Sequence, residues 1–194
     1  VESWTSRESL DTSNTLRLTA AKLPVLDMDS VIALHKEQSA KLIEKLQGSL
    51  PDASALEAFK QTDYNDTKWP KMSLPGYWET QQLGANFDGV VWFRKEIVLD
   101  EDPNSQEAEL HLAMIDDNDI TYVNGIEVGQ TKGYNTPRVY KINKGVLHKG
   151  KNSIAVRVED TGGGGGIYGN ASDLVLKIGD QTISLAGSWP FQIE

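Results

Sequence analysis

The sequence predicts a mainly β protein: an antiparallel β-sandwich of the jelly-roll type, preceded by a helical hairpin. Three observations carry that prediction. First, Thr121-Tyr122-Val123-Asn124-Gly125-Ile126 places β-formers on either side of Asn-Gly, the pair that tolerates the two positive φ angles of a type I′ turn. Second, from residue 62 onward, short runs of β-branched and aromatic residues recur, broken by Gly-rich turns roughly every ten residues. Third, residues 25–61 follow the 3.6-residue period of helices instead.

Taken in order, residues 1–24 show no sustained period and end at Pro24. From Val25 the pattern turns helical, with Asp27 or Asp29 as N-cap and Val31, Leu34, Leu42 and Leu46 near one stripe. Gly48 supplies the stop, and Glu37 stands four residues before Lys41, a supporting pair on a solvated face. Pro51 and Asp52 open a second helix over 53–60, in which Ser54 and Glu57 have capping-box spacing. Eight strands are then expected. Residues 107–115 turn Ala108, Leu110, Leu112 and Met114 to one face and should form a three-stranded meander with the Asn-Gly hairpin. Residues 90–99 alternate Val91, Phe93, Lys95 and Ile97 against Trp92, Arg94, Glu96 and Val98. Residues 138–142, 152–159, 173–178 and 181–185 complete the set.

The totals exclude several function classes. With 194 residues and 39% hydrophobic content the chain can bury a real core. A formal charge of -9 lacks the basic footprint that nucleic acid or an anionic membrane surface requires. Cysteine is absent, which removes disulfides, thiolate metal sites and cysteine nucleophiles. No apolar run approaches the roughly 20 residues of a membrane-spanning helix. Val1-Glu2-Ser3-Trp4 resembles neither an initiator nor a signal peptide, so the chain reads as an internal piece of a longer protein.

No catalytic set is expected within the chain, nor a metal or cofactor. His35, His111 and His148 are scattered without HExxH spacing, and no G-x-S-x-G occurs. Asp116, Asp117 and Asp119 offer the oxygens that calcium takes, but without EF-hand spacing or a terminal Glu, so turn and capping roles are expected of them. Gly164, Gly166 and Gly169 spell G-x-G-x-x-G, yet an alternating strand follows where a dinucleotide site needs a helix. The run Gly162–Gly166 therefore reads as a close approach of another backbone or a ligand, or as an open surface loop. Trp78, Trp92, Tyr134 and Tyr168 are the aromatic candidates for a sugar platform, each also a candidate for core packing, with Asn135 and Arg138 nearby as polar partners.

Several segments together carry a family resemblance: LPGYWE (74–79), FDGVVWFRKEI (87–97), IDDNDITYVNGIEVG (115–129), GYNTPRVYKI (133–142), GKNSIAVRVEDTGGGGGIYG (150–169) and LAGSWPFQI (185–193). They resemble the galactose-binding-like jelly-roll domain inserted in bacterial sialate O-acetylesterases. More loosely, they are similar to the N-terminal sugar-binding domain of β-galactosidases and β-glucuronidases. The resemblance implies three segments: 1–24 as the tail of an SGNH-type hydrolase domain lying outside this chain, 25–61 as a helical connector, and 62–194 as the jelly roll. It implies a periplasmic or secreted, non-catalytic accessory domain of a sialate O-acetylesterase, an enzyme removing O-acetyl groups from sialic acids, with the catalytic domain of the same polypeptide as partner and a sialoglycan or other carbohydrate as ligand. An autonomous carbohydrate-binding module and a purely structural insertion are the alternatives. The residues expected at a substrate or interdomain surface are Tyr134, Asn135, Arg138, Gly164 and Tyr168. The loops Tyr134–Arg138 and Gly162–Tyr168 should share one end of the sandwich, where strand tips place recognition.

Overall fold

The computed structural model describes residues 27–48, 50–84, 87–103 and 106–194. The expected 1–24 tail lies outside them. The chain divides into two compact units, residues 1–35 and 36–194. In the first, the described residues begin α1 (Met28–Gln47), where the Asp27 carboxylate accepts from the Asp29 N–H and the Ser30 hydroxyl. Val31 and Leu34, expected on the buried stripe, are exposed.

In the second unit, Leu42, Ile43 and Leu46 of α1 pack on the main core, and Glu37 pairs with Lys41 at 2.7 Å as expected. Helix α2 (Ala53–Phe59) is capped by Asp52, whose side chain accepts from the Ala55 N–H at 2.8 Å, so the expected Ser54–Glu57 capping box does not form. Its Phe59 inserts among Trp92, Tyr122 and Ala155 on an outer sheet face. The compact unit thus begins inside α1, and most of the 25–61 connector packs with the strands.

Among the described residues, two antiparallel six-stranded sheets make the sandwich. The strands are β1 (Lys71–Leu74), β2 (Gly76–Tyr77), β3 (Gly89–Leu99), β4 (Ala108–Asp116), β5 (Asn118–Val123), β6 (Ile126–Thr131), β7 (Pro137–Ile142), β8 (Gly150–Asp160), β9 (Gly166–Tyr168), β10 (Leu174–Ile178), β11 (Gln181–Ser184) and β12 (Gly187–Ile193). One sheet runs β1-β12-β3-β8-β5-β6 and the other β11-β10-β4-β9-β2, with β7 on the remaining edge of β4. Trp78, Phe93, Trp189, Phe191, Leu110 and Ile115 are fully buried between them. This layer buries the inward faces of both sheets, while Trp92, Tyr122 and Ala155 on the outer face are covered by Phe59.

The Asn-Gly hairpin forms as expected, with φ of 50° at Asn124, 80° at Gly125 and Val123 opposite Ile126. The expected meander does not. β5 pairs with β8 and β6, whereas β4 lies in the opposite sheet. Alternation reveals which side chains turn inward, and inward residues of β4 and β5 do share the core, but across it rather than side by side. β4 also carries an irregularity between His111 and Met114, with Ala113 at φ 52°. The bulge reverses the alternation, so Ile115 is buried in place of Met114. Four strands were not expected: β1, β2, β9 and β12. Pro75, Pro190 and the glycines interrupt their apolar patterns, and all but β12 are too short to show a period.

Asn124 is more than a turn residue. Its side chain donates to the Val146 carbonyl and the Asn152 amide oxygen, both at 2.7 Å, and accepts from the Thr62 hydroxyl at 3.0 Å and the Ser153 N–H at 2.8 Å.

Candidate functional site

One end of the sandwich gathers β2, the last residues of β4 and β8, the glycine run and the 132–136 loop. Short β9 is the organiser, pairing Tyr168 with Met114, Ile167 with Ile115, and Gly166 with both Asp116 and Tyr77. The glycines are required by what crowds them. A Cβ on Gly165 would stand 2.0 Å from the Trp78 ring, and one on Gly166 would stand 2.7 Å from the Gly76 carbonyl oxygen. The Trp78 N–H donates to the Gly165 carbonyl at 3.0 Å, and the Gly165 N–H donates to Glu79 at 2.8 Å. The run is therefore a close approach of backbone, as one sequence reading had it, and its partner is the 76–79 segment of the same chain.

This packing builds an aromatic surface. The Tyr77 and Tyr168 rings stack with centroids 4.9 Å apart and planes 19° apart. The Tyr168 hydroxyl donates to the Tyr134 carbonyl at 2.7 Å, which ties the glycine run to the Tyr134–Arg138 loop and puts both at one end. Tyr134 is 56% exposed and Tyr77 is 37% exposed. Asn135 is exposed on the same loop, and Gly164 lies under the Tyr77 ring with 3.3 Å for an added Cβ.

Arg138 belongs elsewhere. Expected at the surface, it is wholly buried and paired with equally buried Asp119 at 2.9 Å. Its remaining N–H groups donate to the carbonyls of Gly133, Thr136 and Asp117. Asp119 accepts further from the Thr121 hydroxyl at 2.8 Å and the Tyr140 hydroxyl at 2.9 Å; burial nonetheless raises its carboxyl above the ordinary value. Arg138 thus fixes the loop that carries Tyr134 and Asn135, and it presents nothing to a ligand. Trp78 and Trp92 are likewise core residues, 0% and 2% exposed.

Beside the tyrosines lies an acidic cluster. Ligand oxygens of Asp116, Asp117 and Asp160 all lie within 4.8 Å of one another. Asp117 accepts from the Thr161 N–H and hydroxyl at 3.0 and 2.6 Å, which holds its carboxyl below the usual range. The Asp116 carboxyl is pushed up to about 6, by burial first, then by the adjoining Asp117 carboxyl, then by the charges of Asp160 and Glu79. Burial raises Asp160 and Glu79 as well. Sequence reasoning considered Asp116 and Asp117 but missed Tyr77, Glu79 and Asp160. Tyr77 and Glu79 are near neighbours in sequence but Asp160 is distant; the glycine run joins them, through Gly166 to Tyr77, Gly165 to Glu79 and Gly162 to Asp160.

The fold and this loop end define a class: a jelly-roll β-sandwich domain with an aromatic and acidic rim at one end. No protein-family model matches the sequence, and no curated protein matches it. Solved structures do match. A Bacteroides uniformis β-glucuronidase aligns at TM-score 0.53 and 21% identity, covering 74% of this chain and 16% of that one. Bacteroides uniformis β-glucuronidase 2, covalently bound to cyclophellitol-6-carboxylate aziridine, aligns at 0.51 and 22%, covering 70% and 16%. A further β-glucuronidase, from glycoside hydrolase family 2, aligns at 0.50 and 20%, covering 59% and 13%. At such identities the likeness is one of fold, and the chain spans only 16% of the length of the first two. Among the described residues, no helix is long and apolar enough to cross a membrane.

Proposed function

We propose that this chain is a non-catalytic accessory domain of a larger carbohydrate-active hydrolase, and that the Tyr77–Tyr168–Tyr134 rim meets a sugar at the edge of the neighbouring catalytic domain's pocket. The observation that carries the reading is the pinned, partly exposed tyrosine surface at a loop end. Pyranose rings offer an apolar face that stacks on such rings, and exposed aromatics held rigidly cost little entropy on binding. The solved structures that share the fold are carbohydrate-active enzymes in which the matched segment is a minor part of the chain, which supports an accessory role. The finer reading is a sialate O-acetylesterase as the parent, supported by the GYNTPR and five-glycine segments. It implies an extracytoplasmic protein.

The test uses the full-length enzyme. Tyr134→Ala and Tyr168→Ala should lower kcat/KM on O-acetylated sialic acid more than on a small aryl acetate, because they position the sugar and leave acyl transfer alone. Equal losses on both substrates, or no loss on either, would overturn sugar contact by the rim. Activity on a β-glucuronide with none on acetyl esters would keep the accessory role and remove the esterase parent.

A further inference from the structure

We propose that Asp116, Asp117 and Asp160 bind a hard divalent cation of the calcium class at the glycine-run end of the sandwich. Two oxygens held by one calcium ion at about 2.4 Å can be at most about 4.8 Å apart. The three Asp carboxylates already meet that limit.

A second observation is independent of the clustering. Asp160 is 3% exposed; one of its oxygens accepts from the Gly162 N–H at 2.9 Å, while Oδ2 is buried with no hydrogen-bond donor. Glu79 repeats the pattern, Oε1 accepting from the Gly165 N–H while Oε2 is buried without a donor. A buried carboxylate oxygen left unpaired is costly, and a cation is the partner that answers several at once. Side-chain donors do not supply it: the charges acting on Asp116 are those of Asp117, Asp160 and Glu79, all acidic, and Arg138, whose charge reaches Asp117 through space, gives its donors to Asp119 and to backbone carbonyls.

The chemistry selects the ion. Carboxylate oxygens without histidine or thiolate suit calcium or magnesium over zinc or copper. Partly buried oxygens in an irregular loop suit calcium, which sheds water readily and tolerates uneven geometry, over magnesium, which keeps its waters and demands an octahedron. The donors come from the end of β4, the residue after it and the end of β8, so no contiguous motif announces them. A cation here would tie those two strand ends beside the Tyr77–Tyr168 stack whether or not a sugar binds above.

The test is calcium binding to the purified chain after stripping with EDTA. Calorimetry should show one saturable site, calcium should raise the unfolding temperature while equal magnesium does far less, and terbium should luminesce on tyrosine excitation through Tyr77 and Tyr168. Asp160→Asn and Asp116→Asn should each weaken calcium binding roughly 10- to 100-fold. In EDTA, Asp160→Asn should unfold no lower than wild type, because it removes an uncompensated buried charge; a purely structural Asp160 would make that variant less stable. The proposal fails if calcium neither binds saturably nor shifts unfolding, if both variants bind as wild type does, or if remote Glu101→Gln weakens binding equally.

Discussion

Replacing Gly165 by alanine tests whether the glycine run is shaped by the Trp78 ring. The new Cβ would stand 2.0 Å from Cζ2 and 2.2 Å from Cε2 of Trp78, against about 3.5 Å for ordinary carbon contact, so ring or loop must retreat by about 1.5 Å. The ring cannot tip easily, since Nε1–H donates to the Phe87 carbonyl at 3.1 Å and Phe87 and Phe93 flank it. The loop cannot lift without stretching its two hydrogen bonds to Trp78 and Glu79. Overpacking of this kind costs about 1–3 kcal/mol and each weakened hydrogen bond about 1 kcal/mol, so Gly165→Ala should destabilise by about 3 kcal/mol. Gly164→Ala is the matched control: with 3.3 Å to the Tyr77 ring, it should change stability by less than about 0.5 kcal/mol. Urea unfolding of both variants, followed by tryptophan fluorescence, reads the difference. A Gly165→Ala loss below about 0.5 kcal/mol, or equal losses for the two variants, would refute the close-approach account.

Three further outcomes are expected. Arg138→Met should cost about 3–5 kcal/mol by leaving Asp119 buried and unpaired, and adding Asp119→Asn should recover part of it in urea melts; a folded, fully stable Arg138→Met would contradict the buried pair. Gly125→Ala should cost about 1–2 kcal/mol, since φ is +80° and its Cβ would meet the Gln61 side chain at 2.9 Å; a neutral effect would deny the strained turn. Asp116 binds its proton more tightly folded, at about 6, than unfolded, at 3.8, so in EDTA its ionisation lowers stability progressively as pH rises between those values. Asp116→Asn should accordingly be more stable than wild type at pH 7 and lose that advantage towards pH 4, and urea midpoints that differ equally at both pH values would exclude this linkage.

The elements legible in the sequence were those whose signal is local. Asn124-Gly125, the alternation of β3 and the Glu37–Lys41 pair needed no distant partner to be recognised. What escaped depended on distance. β2 and β9 are strands only because Gly76 and Ile167 meet, and Pro190 hides a strand that Lys71 pairs with. Arg138 shows the same limit at the candidate site: its place in sequence puts it beside Tyr134 and Asn135, but its burial against Asp119 depends on how the strands cross. Alternation placed Met114 inside until the bulge at Ala113 exchanged it for Ile115.

The Asn124 turn, so plainly written in the sequence, bears on the order in which the chain folds. Its side-chain partners stand 62, 22, 28 and 29 positions away, on the far side of the 132–136 loop or back near α2. A turn of this type closes within microseconds by itself, but the bonds to Asn152 and Ser153 need β8 docked on β5 and the bond to Thr62 needs the segment after α2, both distant in sequence. Asn124→Ala should therefore quicken unfolding far more than it slows folding, which makes the hairpin a late latch on the sandwich instead of its nucleus.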